Sequence, residues 1–216
     1  MGELRYLPVE ARSKKPRDKD WGNRTYAPSD FDGYNIGLKI EPGMVDVDLD
    51  WPEAQMVTRA VHGIDTKAWG RKGSITHLVY RAELPASVNF ELPNDPAREM
   101  TGAHGRMVLQ LRTSSQGEAC YAMIPPSIHP DGDQLEWVRE ADLSEFNAGA
   151  LVERFSQIAG LAALARFYPS EGSRDEALMS LAGCAARAGW DQERIENFIR
   201  IICTVAGDTD EMRMRM

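Results

Sequence analysis

Residues 44–50 alternate between apolar and acidic side chains, a pattern that fits a β-strand and little else. Successive side chains of a strand point to opposite faces, so Asp46, Asp48 and Asp50 would share one face. Three like charges on one face repel each other, and Asp is disfavoured in strands. The pattern therefore predicts a divalent cation over this face, since Mg²⁺ takes oxygen ligands. The alternative is an edge strand whose acidic face is merely solvated.

Length and composition place the chain among ordinary globular proteins. Its 216 residues suffice for one large domain, or for a core domain with a small one beside it. No apolar run is long enough to span a membrane, so no membrane partner is expected. The three cysteines form no zinc or disulfide pattern, and the first residues lack the apolar core of a signal peptide. We therefore expect a reducing, cytoplasmic location.

The charge distribution leaves room for a nucleic-acid enzyme but not for a basic coat protein. The net charge is −8, yet five basic residues fall within positions 12–19. Among these, Lys14, Lys15 and Arg17 are predicted to contact nucleic acid. For any single one of them, a solvated loop is the alternative.

Hydrophobic periodicity divides the chain into a mixed first part and a helical second part. One helix is predicted after Pro52, and three more follow where alanine and leucine become frequent. We expect an α/β (α+β) domain at 1–142 and a small all-helical bundle at 143–216. Strands are predicted at 35–40, 44–50, 74–81, 107–112, 119–124 and 135–138.

Three further segments carry polar side chains that suit a nucleotide site. Residues 70–80 form a glycine-flanked basic loop that leads into a predicted strand with His77. Backbone amides and basic side chains in such a loop can meet phosphates. Gln110 and Arg112 share one face of the strand at 107–112, and residues 124–132 form a proline-rich turn. The alternatives are a packed or surface histidine and tight loops between strands.

Taken in order, these segments resemble the N-terminal domain of bifunctional DNA primase/polymerases. This is the prim-pol branch of the archaeo-eukaryotic primase superfamily, which is found in phages, plasmids and prophages. The acidic strand resembles the first catalytic motif, residues 74–77 resemble the second, and residues 109–112 with 125–130 resemble the third region. The resemblance implies two small sheets flanking a cleft, followed by a helical accessory bundle. It also implies a helicase domain in the same protein.

The resemblance further implies a metal-dependent DNA primase/polymerase, a nucleotidyltransferase acting on nucleoside triphosphates and a single-stranded DNA template or primer. Asp48 and Asp50 match the family's Asp-x-Asp pair and would hold two Mg²⁺ or Mn²⁺ ions, with Asp46 on the same face. His77 would bind the β- or γ-phosphate. The other positions implied for nucleotide or phosphate contact are Arg71, Lys72, Ser74, Arg112, Ser127 and His129.

Gln110 departs from the family pattern, which has a third acidic residue at this catalytic position. A carboxamide offers an oxygen but no charge, so metal affinity should fall. If the alignment is shifted, Glu118 is the acidic residue. Otherwise Gln110 is an introduced inactivating change, or a natural departure with Asp46 supplying the third charge, or a sign that only binding is kept. Gln110 supports one alternative to a polymerase, a nucleotide or single-stranded DNA-binding module. The others are a metal-dependent phosphohydrolase built on the acidic strand and a structural or interaction role.

Overall fold

A computed structural model describes residues 4–61, 63–92, 105–114 and 119–208 of the chain. Its strands are β1 (Tyr6–Val9), β2 (Asn35–Ile40), β3 (Met44–Asp48), β4 (Lys67–Arg71), β5 (His77–Arg81), β6 (Val88–Glu91), β7 (Met107–Arg112), β8 (Cys120–Ile124), β9 (Leu135–Arg139) and β10 (Ser144–Glu145). Its α-helices are α1 (Pro52–Val61), α2 (Ala148–Arg166), α3 (Arg174–Arg187) and α4 (Gln192–Ala206). No helix within the described ranges combines the length and apolar character that crossing a membrane requires.

The strands form two sheets, as expected, but the sheets differ in size. The smaller sheet has the order β1-β2-β8, and the larger has the order β6-β7-β3-β5-β4-β9, with β10 pairing beside β5. All pairings are antiparallel except that of β10 with β5. The acidic strand β3 lies between β5 and β7 in the middle of the larger sheet. The edge-strand interpretation of residues 44–50 is therefore wrong.

Two predicted strands differ from the structure by two or more residues at one end. β3 ends at Asp48, because the next two backbone N–H groups donate to Thr76 and Val108 instead of continuing the ladder. β5 begins at His77 rather than at residue 74. The start of the predicted basic loop, Gly70 and Arg71, belongs to strand β4, and the residues after it make the turn from β4 to β5. The turn between them is tight: a Cβ on Gly70 would lie 1.9 Å from the carbonyl oxygen of Ser74.

Polar side chains set the start of two of the helices. Asn147 caps α2 by accepting a hydrogen bond from the Ala150 N–H at 3.1 Å, and Asp191 caps α4 as predicted. The predicted capping box at the start of α3 is absent, because the Ser173 hydroxyl donates to the carbonyl of Ser170. The last helix, α4, ends at Ala206, next to the predicted stop at Gly207.

The main hydrophobic core runs across the predicted domain boundary at 142–143. Leu151 and Phe155 of α2 are fully buried in the same cluster as Val47 of β3 and Leu111 of β7. Ile201 of α4 joins this cluster as well. The division into two domains stays a prediction, but α2 packs on the larger sheet and on α1 as part of one core.

We expect Phe155→Ala to destabilise the whole first part of the chain. The ring is fully buried and meets Tyr80 of β5 edge to face at 6.1 Å between centroids. Truncating a buried Phe costs about 3–5 kcal/mol, which corresponds to a fall of about 10 °C in Tm for a chain of this size. Thermal unfolding followed by tryptophan fluorescence checks this. Met179→Ala on α3, where the side chain is 66% exposed, is the control and should change stability by less than about 0.5 kcal/mol. Unfolding of the sheet at an unchanged temperature would contradict a shared core.

Candidate active site

Pairing across the larger sheet aligns polar side chains from five strands in one row. His77 of β5 and Gln110 of β7 lie directly opposite Asp48 of β3, one on each side. Trp69 of β4 lies opposite His77, and Asn89 of β6 lies opposite Gln110. Directly opposed side chains are neighbours, with Cβ atoms about 5 Å apart. The register thus brings together three residues predicted as catalytic, although they lie far apart in sequence.

Gln110 adjoins Asp48, but its amide is already engaged. The Nε2 atom donates to Oδ1 of Asn89 at 3.0 Å. The carbonyl oxygen is the atom that a metal would accept as a ligand. Gln110 therefore occupies the position from which a third carboxylate would face Asp48.

Asp48 and Asp50 form a crowded carboxylate pair at the end of β3. The Oδ2 atom of Asp50 is buried and has no hydrogen-bond partner among the described residues. Burial, together with the charge of Asp48, raises the pKa of Asp50 to about 6. A buried, unpartnered carboxylate oxygen beside a second carboxylate is an environment that a divalent cation relieves.

The donor set fits a magnesium or manganese ion held partly by substrate. Mg²⁺ is commonly bound by one or two carboxylates together with phosphates and water. Asp48 and Asp50 supply two carboxylates. Within the described ranges, no group of three or more His, Cys, Asp or Glu side chains is arranged to hold a metal ion.

Asp46 lies one pleat deeper on the same face of β3 and is fully buried. Its Oδ1 atom accepts a hydrogen bond from Nδ1 of His77 at 3.1 Å, and its Oδ2 atom accepts from Nε of Arg112 at 2.9 Å. Burial opposes ionisation, but the positive charges of Arg112 and His77 outweigh it and lower the pKa of Asp46 to about 2. Both oxygens are thus engaged with protein donors, and the metal role of Asp46 stays a prediction.

His77 is held on three sides. Its ring stacks on Trp69 with 5.2 Å between centroids and 18° between planes. Its Nε2 atom lies 3.8 Å from Oδ1 of Asp48. Burial lowers the pKa of His77, but the charges of Asp48 and Asp46 outweigh burial and raise it above the ordinary value. His77 therefore tends towards the cationic form, which suits binding to a phosphate.

The turn that carries Asp50 is supported from behind by α2. Trp51 is fully buried, and the guanidinium of Arg166 lies 3.8 Å from the centroid of its indole ring. Arg166 also pairs with Glu53 at 2.9 Å in the first turn of α1. The helical part therefore helps to fix the position of the carboxylate pair.

A cleft of about 580 Å³ separates the two sheets at this point. β3, β5 and β7 of the larger sheet line one side, and β8 of the smaller sheet lines the other. The lining includes seven of the predicted site residues: Lys14, Asp48, Asp50, Arg71, His77, Arg112 and His129. It also includes Leu49, Gln55, Thr76, Tyr121, Ala122, Met123, Asp131 and Leu135, which sequence reasoning did not assign to the site. The structure thus brings cations and carboxylates together in one cleft.

The basic N-terminal cluster contributes only one side chain to this cleft. Lys14 lines it. Lys15 pairs with Glu10 at 2.9 Å, and Arg17 pairs with Asp30 at 3.2 Å, outside the lining. The nucleic-acid role predicted for Lys15 and Arg17 stays a prediction.

The β4–β5 turn and the β8–β9 loop meet at the rim of the cleft. Arg71 donates to Nδ1 of His129 at 3.0 Å and to Asp131 at 2.8 Å. Burial and the charge of Arg71 lower the pKa of His129, which favours the neutral imidazole. Lys72 instead pairs with Asp133 at 3.0 Å. The aspartates of this loop were predicted only as turn residues, and nothing in their spacing indicated that they hold Arg71.

Three further predicted residues that the structure describes, Ser74, Gln110 and Ser127, are not part of the cleft lining. Ser74 is exposed in the β4–β5 turn. Ser127 is buried, and its hydroxyl donates to the carbonyl of Ile36 while accepting from the same residue's N–H. This contact ties the proline-rich turn to β2. Glu118 lies outside the described residues.

We expect Asp50→Asn to stabilise the metal-free protein at high pH. The pKa of Asp50 rises from 3.8 to about 6 in the folded state, so wild type loses stability as pH rises between these values. At pH 8 in EDTA the variant should be more stable by about 1–2 kcal/mol, after allowance for solvent screening. The gain should vanish near pH 4. Chemical denaturation between pH 4 and 8 measures this gain, and a gain independent of pH would contradict the raised pKa of Asp50.

The sequence matches a known protein family. The family model for the bifunctional DNA primase/polymerase N-terminal domain matches residues 2–149, more than half of the chain. The matched segment contains both sheets and all the described residues that line the cleft. A search of curated proteins gave no match.

Proposed function

Because the chain belongs to the family of bifunctional DNA primase/polymerase N-terminal domains, we propose that the cleft between its sheets is the active site of a metal-dependent nucleotidyltransferase. The family supports a DNA primase/polymerase-type function. The substrates proposed are nucleoside triphosphates and a single-stranded DNA template with its primer. A mobile-element origin and a helicase domain in the same protein are implied by resemblance alone and stay predictions.

The observation that carries the proposal is the carboxylate pair at the end of β3. Asp50 has a buried, unpartnered oxygen, and burial together with the charge of the adjacent Asp48 raises its pKa. Leaving a buried acceptor unsatisfied costs free energy, so a site that keeps one is expected to fill it with a ligand. Asp48 and Asp50 would hold Mg²⁺ or Mn²⁺. When bound, such ions lower the pKa of the attacking 3′-hydroxyl and neutralise charge on the leaving pyrophosphate.

The cations of the cleft suit the triphosphate of the incoming nucleotide. His77 and Arg112 flank Asp48, and Lys14 and Arg71 lie further along the lining. Charge-assisted hydrogen bonds from such groups bind phosphate oxygens and stabilise the negative charge that develops during transfer. In the proposal these four residues orient the triphosphate, and the overall acidic surface does not prevent binding because the positive charge is local.

A second candidate function is a binding module of the same fold that grips nucleotide or single-stranded DNA without efficient chemistry. Gln110 favours it, because the side chain next to Asp48 is uncharged and donates to Asn89. Fewer charged ligands weaken metal binding.

Pyrophosphate release separates the two functions. The proposed enzyme releases pyrophosphate from a nucleoside triphosphate only when template, primer and Mg²⁺ or Mn²⁺ are all present. A binding module gives saturable nucleotide or single-strand binding and no pyrophosphate. Release of inorganic phosphate without template would instead indicate a phosphohydrolase and contradict both.

A further inference from the structure

Asp46 lies directly behind the cleft without reaching it. It is fully buried and is not among the residues that line the cleft. Strand pairing places it opposite Val79 of β5 on one side and Arg112 of β7 on the other. Any effect of Asp46 on a ligand in the cleft must therefore be transmitted by the side chains that Asp46 contacts.

The carboxylate of Asp46 links the two cations nearest the carboxylate pair. Oδ1 accepts from Nδ1 of His77 at 3.1 Å. Oδ2 accepts from Nε of Arg112 at 2.9 Å and also from Nη2 of the same guanidinium. The side chains of His77 and Arg112 are 17% and 25% exposed, so both face the cleft while Asp46 holds them from below.

These contacts leave His77 one orientation. Asp46 fixes the Nδ1 side of the ring, and Trp69 fixes its plane by stacking at 5.2 Å. The nitrogen left for the cleft is Nε2, which lies 3.8 Å from Asp48. Arg112 is held by two of its nitrogens, and its Nη2 atom also lies 3.4 Å from Asp48. One buried carboxylate thus sets the direction of both donors.

We propose that Asp46 is a positioning residue that fixes His77 and Arg112 for binding the triphosphate of the incoming nucleotide. This inference rests on the proposed function of the cleft. It gives Asp46 a role different from the metal ligand predicted from the sequence, because both of its oxygens serve these two donors. Groups held in place by a second layer of hydrogen bonds are preorganised, and small misplacements of such groups are costly in rate.

Asp46→Asn tests the role with almost no change in size. A carboxamide has one acceptor oxygen for the two donors, so His77 or Arg112 loses its fixed partner. We expect kcat/KM for the nucleotide to fall about 10- to 100-fold, the range typical when a group that orients a ligand is lost. The Mn²⁺ affinity of the free protein should stay within about threefold, since Asp48 and Asp50 remain.

A double-mutant cycle shows whether Asp46 acts through His77. In a His77→Ala background, Asp46→Asn should cost only about threefold, because the remaining path runs through Arg112 alone. An equal fold loss in both backgrounds would mean that Asp46 acts independently of His77 and would overturn its role in fixing that side chain.

Asp65→Asn is the matched control for a purely structural effect. Asp65 also accepts from an aromatic side chain and an arginine, Tyr80 and Arg154, each at 2.7 Å, but it is not part of the cleft lining. Its loss should lower Tm and leave kcat/KM unchanged. If Asp46→Asn behaves in the same way, the positioning role is wrong.

NMR spectroscopy detects the hydrogen bond between His77 and Asp46 without relying on activity. In protein labelled with ¹⁵N-histidine, we expect a slowly exchanging Nδ1 proton on His77 in wild type and its loss or displacement in Asp46→Asn. Absence of the signal in wild type would overturn the proposal.

A wild-type chain that shows the signal but neither binds nor incorporates nucleotide would overturn the proposed function, and with it the role of Asp46. A wild type with activity and an Asp46→Asn variant that matches it would overturn the positioning role alone.

Discussion

Replacing Asp48 and Asp50 together by alanine should abolish nucleotide incorporation while the protein stays folded. These two side chains are the carboxylates proposed to hold the metal, and Asp50 has an unpartnered oxygen. Metal-based charge stabilisation contributes several kcal/mol, so we expect a loss of about a thousandfold or more. Without metal, the variant should melt at a higher temperature than wild type, because the buried charge of Asp50 and its repulsion by Asp48, which together raise the pKa of Asp50, are gone.

The double variant needs a control with the same charge change. Asp32→Ala with Asp142→Ala removes two exposed carboxylates outside the cleft lining and should leave incorporation unchanged. Circular dichroism and thermal melting of both variants establish that the fold is kept. Collapse of the Asp48/Asp50 variant would make these residues structural. Activity that survives in a folded variant would remove them from the metal site.

Gln110→Glu should raise metal affinity and activity. Gln110 lies directly opposite Asp48 across β3 and β7, so the new carboxylate would border the proposed site. One additional negative charge at this distance is expected to strengthen Mn²⁺ binding about tenfold, or ~1.4 kcal/mol. Without metal, the same charge should lower Tm, because it adds to the repulsion at Asp48. Mn²⁺ titration and melting with and without metal measure the two effects.

Asn89→Asp is the matched control for this prediction. Asn89 lies opposite Gln110 on β6, so the substitution adds the same charge one strand further from Asp48. Its effect on Mn²⁺ affinity should be small. If Gln110→Glu changes neither affinity nor activity, or lowers both, Gln110 does not belong to the metal site. The binding-module function would then gain support.

Part of this site could be predicted because side chains two residues apart in a strand lie on the same face of the sheet. The alternation at residues 44–50 predicted one face for Asp46, Asp48 and Asp50. In the structure Asp46 and Asp48 share a face of β3, whereas Asp50 lies just beyond the strand and lines the same cleft as Asp48. Depth could not be predicted in the same way. The alternating pattern predicts which side chains share a face of the strand. It does not predict how deeply Asp46 is buried, because that depends on β5 and β7 pairing on the two sides of β3.

Other features depended on contacts between distant segments. β4 contains Gly70 and ends in a basic residue, so it looked like a loop, and its pairing with β5 and β9 overrides that local preference. The stacking of Trp69 on His77 follows from this pairing and was not predicted. The spacing of apolar residues in α2 predicted a helix but not its partner, which is the core of the larger sheet.

The most direct test of the central claim is single-nucleotide incorporation on a primed DNA template with Mn²⁺, measured for each template base with each nucleoside triphosphate. We predict extension of the primer by the nucleotide complementary to the template base, and no extension in EDTA or with the Asp48→Ala, Asp50→Ala variant. No extension by the wild-type chain, or extension that ignores the template base, would contradict a template-directed polymerase site in this cleft.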